Sequence, residues 1–168
     1  AGMNANDSIK DPSKANFFNG TVTSNLLNQA IDSKVKRFIF LSTAHVYKSP
    51  LDGMIQETDQ LTNLHPYATS HVIGENVVLE ASKNSLIDGL VLRISNVFGS
   101  PEIENSNCWD LFINNLCMQA FIQHELKITG NPFQERDFIA KSDLISVIID
   151  LINYPYSYSP NHIVNIGS

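Results

Sequence analysis

Charge is scarce in this chain. Asp, Glu, Lys and Arg make up only 17% of its 168 residues, against roughly 25% in an average soluble protein. Basic residues are the scarcer sign: 11 Lys and Arg against 17 Asp and Glu leave a net charge of −6. They are also scattered, with Lys34, Lys36 and Arg37 as the densest group. Without a basic patch there is no electrostatic footprint for nucleic acid, and that class of partner is set aside. Cysteine is nearly absent. Cys108 and Cys117 form no CxxC pair, which excludes a disulfide framework and a zinc knuckle. Reduced thiols in a cytoplasmic protein are the expectation. No apolar run approaches the ~20 residues of a spanning helix, so no membrane partner is expected. The opening AGMNANDS has neither the basic start nor the apolar stretch of a signal peptide. None of the eight glycines forms a G-x-G-x-x-G loop, so the usual phosphate cradle of a dinucleotide site is missing from the sequence.

What remains is a chain with 43% hydrophobic residues, enough for one core, arranged as alternating helices and strands. Asp11-Pro12 opens a helix expected to run to about Ser33, with Phe18, Val22, Leu26, Leu27 and Ala30 on its apolar side. RFIFLS, residues 37–42, and GLVLRI, residues 89–94, are short unalternating apolar runs, the pattern of strands buried on both faces. Between them, Pro66 starts a second long helix to about Ser85. Further on, a helix is expected over 109–121, a short strand over 126–129 ended by Gly130-Asn131-Pro132, and an extended piece at Phe138 and Ile139. Ser142 is positioned to cap a helix to Asn153 that is apolar nearly all round and so expected to be buried. His162 to Ile166 reads as a last strand. This rhythm predicts an α/β fold: a doubly wound, Rossmann-type parallel sheet with helices on both faces.

In such sheets chemistry gathers at the carboxyl ends of the strands. Ser42 and Thr43 follow the first strand, and Asn96 follows the second. Tyr67 and His71, four apart, share one face of the intervening helix. Tyr67 lies in its first turn, where the helix dipole favours a phenolate. Two hydroxyls, Thr43 and Tyr67, aimed at one carbonyl or alcohol would make a proton-transfer site.

LSTAHVY, PYATSHVIGE, LRISNVFGSP, RDFIAKSDL and VNIGS occur in that order. Together they resemble the extended short-chain dehydrogenase/reductases, the NAD-dependent epimerase/dehydratase family, over nearly the whole chain. The resemblance implies NAD or NADP as cofactor and a nucleotide-diphosphate sugar as substrate. It implies Thr43 as the hydroxyl on the reacting sugar oxygen and Tyr67 as the general acid/base. His71 stands in the place of the family lysine. Asn96 and Arg136 fall where relatives contact the nucleotide diphosphate. Ala1, Gly2, Ser42, Tyr67 and His71 fall on the cofactor side. No metal is implied. Residues 1–100 correspond to the second half of the dinucleotide-binding domain, and 101–168 to a mixed segment that begins a small substrate-binding region. The expected function is the central part of an epimerase or keto-sugar reductase, homodimeric through helices 12–33 and 66–85.

Three departures shape that expectation. The Gly-rich loop is absent, so the chain resembles the middle of a longer protein. His71 replaces a permanent cation with an imidazole that is mostly neutral at neutral pH, though still expected to donate to the cofactor ribose. In the first long helix Phe17 occupies the place of a family asparagine, with Asn16 and Asn19 nearby. In addition, relatives that eliminate water carry an acidic pair where this chain has Ala44 and His45, which argues against a 4,6-dehydratase. The rival expectations are a binding or regulatory protein on the same fold, with catalysis lost through His71, and a structural fragment that pairs with another chain.

Overall fold

The structure, a computed structural model, describes residues 2–102, 107–129, 131, 133–153 and 162–168. Ala1, Gly130 and Pro132, all named above, lie outside the described residues. In chain order the elements are α1 (Ala5–Lys10), α2 (Pro12–Asn16), a π-helical segment (Phe17–Val22), α3 (Thr23–Asp32), β1 (Arg37–Thr43), α4 (Pro66–Lys83), β2 (Asp88–Ile94), β3 (Asn96–Phe98), α5 (Phe112–Gln123), β4 (Phe138–Ala140), α6 (Lys141–Asn153) and β5 (Ile163–Ile166). β1, β2 and β5 form a parallel sheet in that order, and β3 pairs in parallel with β4. β1 runs beside β2 from Arg37↔Asp88 to Thr43↔Ile94. Thr43 and the residues after Ile94 and Ile166 therefore emerge at one end of the sheet.

β2 shows why its sequence does not alternate. Leu90, Leu92 and Ile94 face α6, where they pack with Leu144, Leu151, Ile139 and Ile166. Val91 faces the opposite side and packs with Leu27 of α3 and Val78 and Ala81 of α4. Both faces are covered by helices, so each position of the strand is selected for burial. Each fully buried aliphatic side chain contributes about 1.5–3 kcal/mol through apolar burial. The helices feeding β1 and β2 stop the same way. Lys34 and Ser85 adopt left-handed φ values of 57° and 56°, while Val35 N–H and Leu86 N–H return to the carbonyls of Ala30 and Ala81. That arrangement satisfies orphan carbonyls at the end of a helix.

Two expectations need correction. α6 is not buried all round: Leu144 and Leu151 are buried, but Ile145 is 46% and Ile152 63% exposed. The helix has one sheet face to lie on, and apolar composition does not by itself supply a second layer. Residues 126–129 form no strand. The Lys127 N–H donates to the Gln119 side chain at 2.7 Å instead of to a neighbouring strand; without a ladder partner an apolar stretch does not become a strand.

Candidate active site

β1 ends at Thr43, whose side chain caps the short 3-10 turn Ala44–Val46 and accepts the His45 N–H at 3.2 Å. α4 starts across from it. His65 is the N-cap and its Nδ1 accepts the Tyr67 N–H at 3.1 Å; Pro66 at the first position needs no hydrogen-bond partner for its nitrogen. This junction brings the side chain of Thr43 next to that of Tyr67. Burial raises the Tyr67 pKa above the usual phenol value, and the Thr43 hydrogen bond opposes that rise. One turn along α4 the His71 ring lies 4.4 Å from the Tyr67 ring, centroid to centroid.

His71 is buried, and its Nδ1 lies 2.8 Å from the Tyr67 carbonyl oxygen. A carbonyl only accepts, so Nδ1 carries the proton and neutral His71 presents a bare Nε2. At Nε2 the neutral ring can accept but not donate, the opposite of the donation to a ribose hydroxyl expected from the sequence. Burial lowers the His71 pKa below its ordinary value, partly offset by the Tyr67 carbonyl and the charge of Glu75. The family lysine's permanent cation has no counterpart in this ring.

Asn19 stands two residues after the place where the family asparagine was expected. It is buried inside the π-helical segment, and its Nδ2 donates to Ser70 Oγ at 3.0 Å and lies 3.4 Å from His71 Nδ1. The wider π turn carries an additional residue, and such turns recur at functional sites. The motif spacing puts Phe17 three residues before Gly20; the buried amide is that of Asn19. Gly74 lets α4 approach closely, because a Cβ there would collide with the Phe40 ring and the Asn19 carbonyl. Gly2 sits beside the same asparagine, where a Cβ would stand 2.9 Å from Asn19 Oδ1. Gly2, Asn19, Ser70 and His71 thus form a close polar wall at the end of β1. Its chemistry fits the ribose and nicotinamide half of a dinucleotide: small at Gly2, hydrogen-bonding at His71. Ser42 does not join this wall. Its hydroxyl donates to Glu75 Oε1 at 2.5 Å, one turn beyond His71 on α4.

Asn96 and Arg136 come together elsewhere, in an adjoining cleft of about 700 Å³ whose lining includes His45, Asn96, Arg136, Asp137 and Asn165. Thr43, Tyr67 and His71 do not line that cleft; they stand beside it, joined through Ala44 and His45. Arg136 is exposed, lies 5.3 Å over the Phe112 ring and donates to Gln134 Oε1 at 3.1 Å. Asp137 ties the cleft floor, accepting the Ser168 N–H at 3.2 Å and its hydroxyl at 2.7 Å. Among the described residues no group of three His, Cys, Asp or Glu is placed to hold a metal ion, and no helix is long and apolar enough to cross a membrane.

A buried network missed at the level of sequence supports this architecture. Arg93 of β2 pairs with Glu75 of α4 at 2.7 Å, with side chains 4% and 1% exposed. Arg93 also donates to the Tyr47 hydroxyl at 2.9 Å, which donates to Asn165 Oδ1 at 2.6 Å. β1, β2, β5, α4 and the loop after β1 are thus linked at the sheet end that carries the cleft.

The lowered His71 pKa predicts a pH dependence of stability. The unfolded ring titrates near ~6.5, while the folded ring resists protonation. Below about 6.5 the unfolded state therefore binds more protons, and stability falls as pH drops toward the folded pKa. Urea midpoints at pH 7.5 and pH 5 should show the loss, and His71→Asn should remove part of it. An equal loss in the variant would assign the effect to other groups.

Residues 2–167 match the NAD dependent epimerase/dehydratase family. The chain is 28% identical over 145 residues to dTDP-D-glucose 4,6-dehydratase of Mus musculus, covering 85% of this chain and 38% of that protein. Its fold is similar to the NAD dependent NDP-hexosamine 5,6-dehydratase TunA of tunicamycin biosynthesis, with TM-score 0.84 and 26% identity over 100% of this chain and 53% of that one. It is also similar to UDP-glucuronic acid 4-epimerase from Bacillus cereus solved with NAD, with TM-score 0.81 and 27% identity over 95% of this chain and 49% of that one. The chain thus spans about half the length of those two structures, and less of the mouse protein.

Proposed function

This chain belongs to the NAD-dependent epimerase/dehydratase family, and from that premise we propose that it forms the central part of a nucleotide-sugar epimerase or keto-sugar reductase. The observation that carries the reading is the juxtaposition of Tyr67 and Thr43 at the carboxyl end of β1, with His71 one turn behind. Tyr67 passes a proton to or from the sugar oxygen, and Thr43 holds that oxygen by its hydroxyl. Asn96 and Arg136 line the adjoining cleft, where a guanidinium suits the paired oxygens of a diphosphate. Gly2, Asn19 and His71 would hold the nicotinamide ribose. A nicotinamide dinucleotide, when bound, supplies and takes back the hydride.

A second reading, binding without turnover, is favoured by one observation: His71 is buried, its pKa is lowered, and its Nδ1 proton is held by the Tyr67 carbonyl. Incubating the protein with NAD and UDP- or dTDP-sugars separates the two. Interconverted or reduced sugar supports the enzyme; binding with no product supports the second reading; no binding sinks both.

Association through helices 12–33 and 66–85 is part of the proposal. Phe17, Val22, Leu26 and Ile73 are exposed apolar residues on this pair of helices, and Phe17 and Ile73 line a shallow depression of about 650 Å³. Apolar residues beyond the sheet-facing side suit a partner helix pair. The protein should sediment as a dimer and Leu26→Glu as a monomer. A monomeric wild type would remove this part of the reading.

A further inference from the structure

Residues 47–65, between the turn after β1 and the start of α4, form no helix or strand. Apolar burial does not hold this stretch in place: Leu61 is 37% exposed and Leu64 87%. Polar bonds do. The Thr62 N–H and hydroxyl both donate to the Tyr47 carbonyl, at 2.6 and 2.8 Å. Asn63 does more, because its amide engages both site-bearing segments at once. Its Nδ2 donates to the His45 carbonyl at 2.7 Å, and its Oδ1 accepts the His65 N–H at 3.0 Å. One partner only accepts and the other only donates, so a single orientation of the amide satisfies both. The line of bonds continues at each end. On one side the His45 N–H donates to Thr43 Oγ1 at 3.2 Å. On the other, His65 Nδ1 caps α4 by accepting the Tyr67 N–H at 3.1 Å. Asn63 is therefore the centre of a tie that runs from the Thr43 side chain to the backbone of Tyr67. Thr43 Oγ1 spends a lone pair on this tie and keeps its O–H to donate. The residues that line the cleft do not include Asn63 or His65, so the amide acts on the site only through what it holds.

We propose that Asn63 is a positioning residue for the proton-transfer pair: its amide sets the spacing between the turn that carries Thr43 and the helix start that carries Tyr67. This rests on the nucleotide-sugar reading above and adds to it the group that aligns its two hydroxyls. Tyr67 and Thr43 must meet one oxygen, and a misplacement of about 1 Å costs up to ~10²-fold in rate. The two hydroxyls stand on separate elements, β1 and α4. Packing of α4 on the sheet places the helix as a whole, whereas its first turn and the turn after β1 lie at the ends, where a directional bond decides the final alignment. Only an amide serves in this place. A carboxylate of the same size keeps the His65 bond but turns a lone pair on the His45 carbonyl, and an alanine loses both bonds.

The test compares N63D and N63A with wild type, after circular dichroism has shown which variants are folded. With NAD and a UDP- or dTDP-sugar, kcat should fall ~10- to 10²-fold in both variants, and KM should stay within a few-fold because the cleft lining is untouched. The second readout does not depend on turnover. The ionisation of Tyr67 is followed by NMR of ¹³C-labelled tyrosine, its signal assigned by its loss in Tyr67→Phe. In N63A it should move to higher pH, because Thr43 is no longer held beside the phenol to oppose the effect of burial. A general loosening of the fold would hydrate the phenol and move it the other way. N63D with wild-type kcat overturns the proposal, as does a Tyr67 ionisation in N63A that stays in place or moves to lower pH. Failure of both variants to fold also overturns it, since Asn63 would then serve the fold rather than the pair. An upward move in a protein that turns over no sugar supports the tie and overturns the nucleotide-sugar reading alone.

Discussion

Tyr67→Phe should cut turnover of a nucleotide sugar by ~10²- to 10⁴-fold, the range for loss of a general acid–base group. The ring remains to fill its place beside His71, so the loss isolates the hydroxyl and its contact with Thr43. The direction of the Tyr67 pKa makes the complementary experiment informative. Burial holds the phenol protonated, and neutral His71 supplies no cation to oppose it. A lysine at this position would add a permanent positive charge near the phenol and stabilise the phenolate. Since one pKa unit is ~1.4 kcal/mol, His71→Lys should raise turnover at neutral pH and move the ascending limb of the pH–rate profile, set by Tyr67 ionisation, to lower pH. A Tyr67→Phe protein as active as wild type would end the acid–base assignment. An inactive wild type rescued by His71→Lys would identify a lapsed enzyme and favour binding as the present role.

Glu75→Ala should be the most damaging single change to the fold. Glu75 and Arg93 are buried side by side with three nitrogen–oxygen contacts of 2.7–3.2 Å. Removing the carboxylate strands a guanidinium away from water, a loss of about 3–5 kcal/mol when a buried pair is broken. For a chain of this length that corresponds to a fall in Tm on the order of 10 °C. The damage should extend to the cleft, because Arg93 and its partners Tyr47 and Asn165 all line it. Replacing both partners together, Glu75→Met with Arg93→Leu, should cost much less, since no charge is left unpaired. Thermal unfolding of the three proteins decides it: a Glu75→Ala protein that melts with wild type would mean the pair is not desolvated as the structure has it.

The sequence alone determined the α/β rhythm, both central strands and the order of the site residues. These are local properties: DGLVLRI is apolar on both faces because both faces are buried, while RFIFLST is apolar although Leu41 is 50% exposed, and Tyr67 and His71 share a side because a helix repeats every 3.6 residues. Thr43 and Tyr67, far apart in sequence, were paired in that reading as hydroxyls at a strand end and a helix start, and the tertiary structure set them side by side. Other features depended on neighbours that no local pattern names. Ser42 turned out to serve Glu75 because alternation along β1 points it at α4, opposite to Thr43. Asn19 became a buried amide within the π-helical segment, while Phe17, at the motif place of the asparagine, is 51% exposed. α6 kept an exposed apolar side because only one layer covers it, and residues 126–129 made no strand because no ladder received them. The tautomer of His71 was decided by the carbonyl one turn earlier. Periodicity reports which face of an element is buried. Which polar atom meets which partner is set by packing between elements, where burial makes every unpaired donor or acceptor costly.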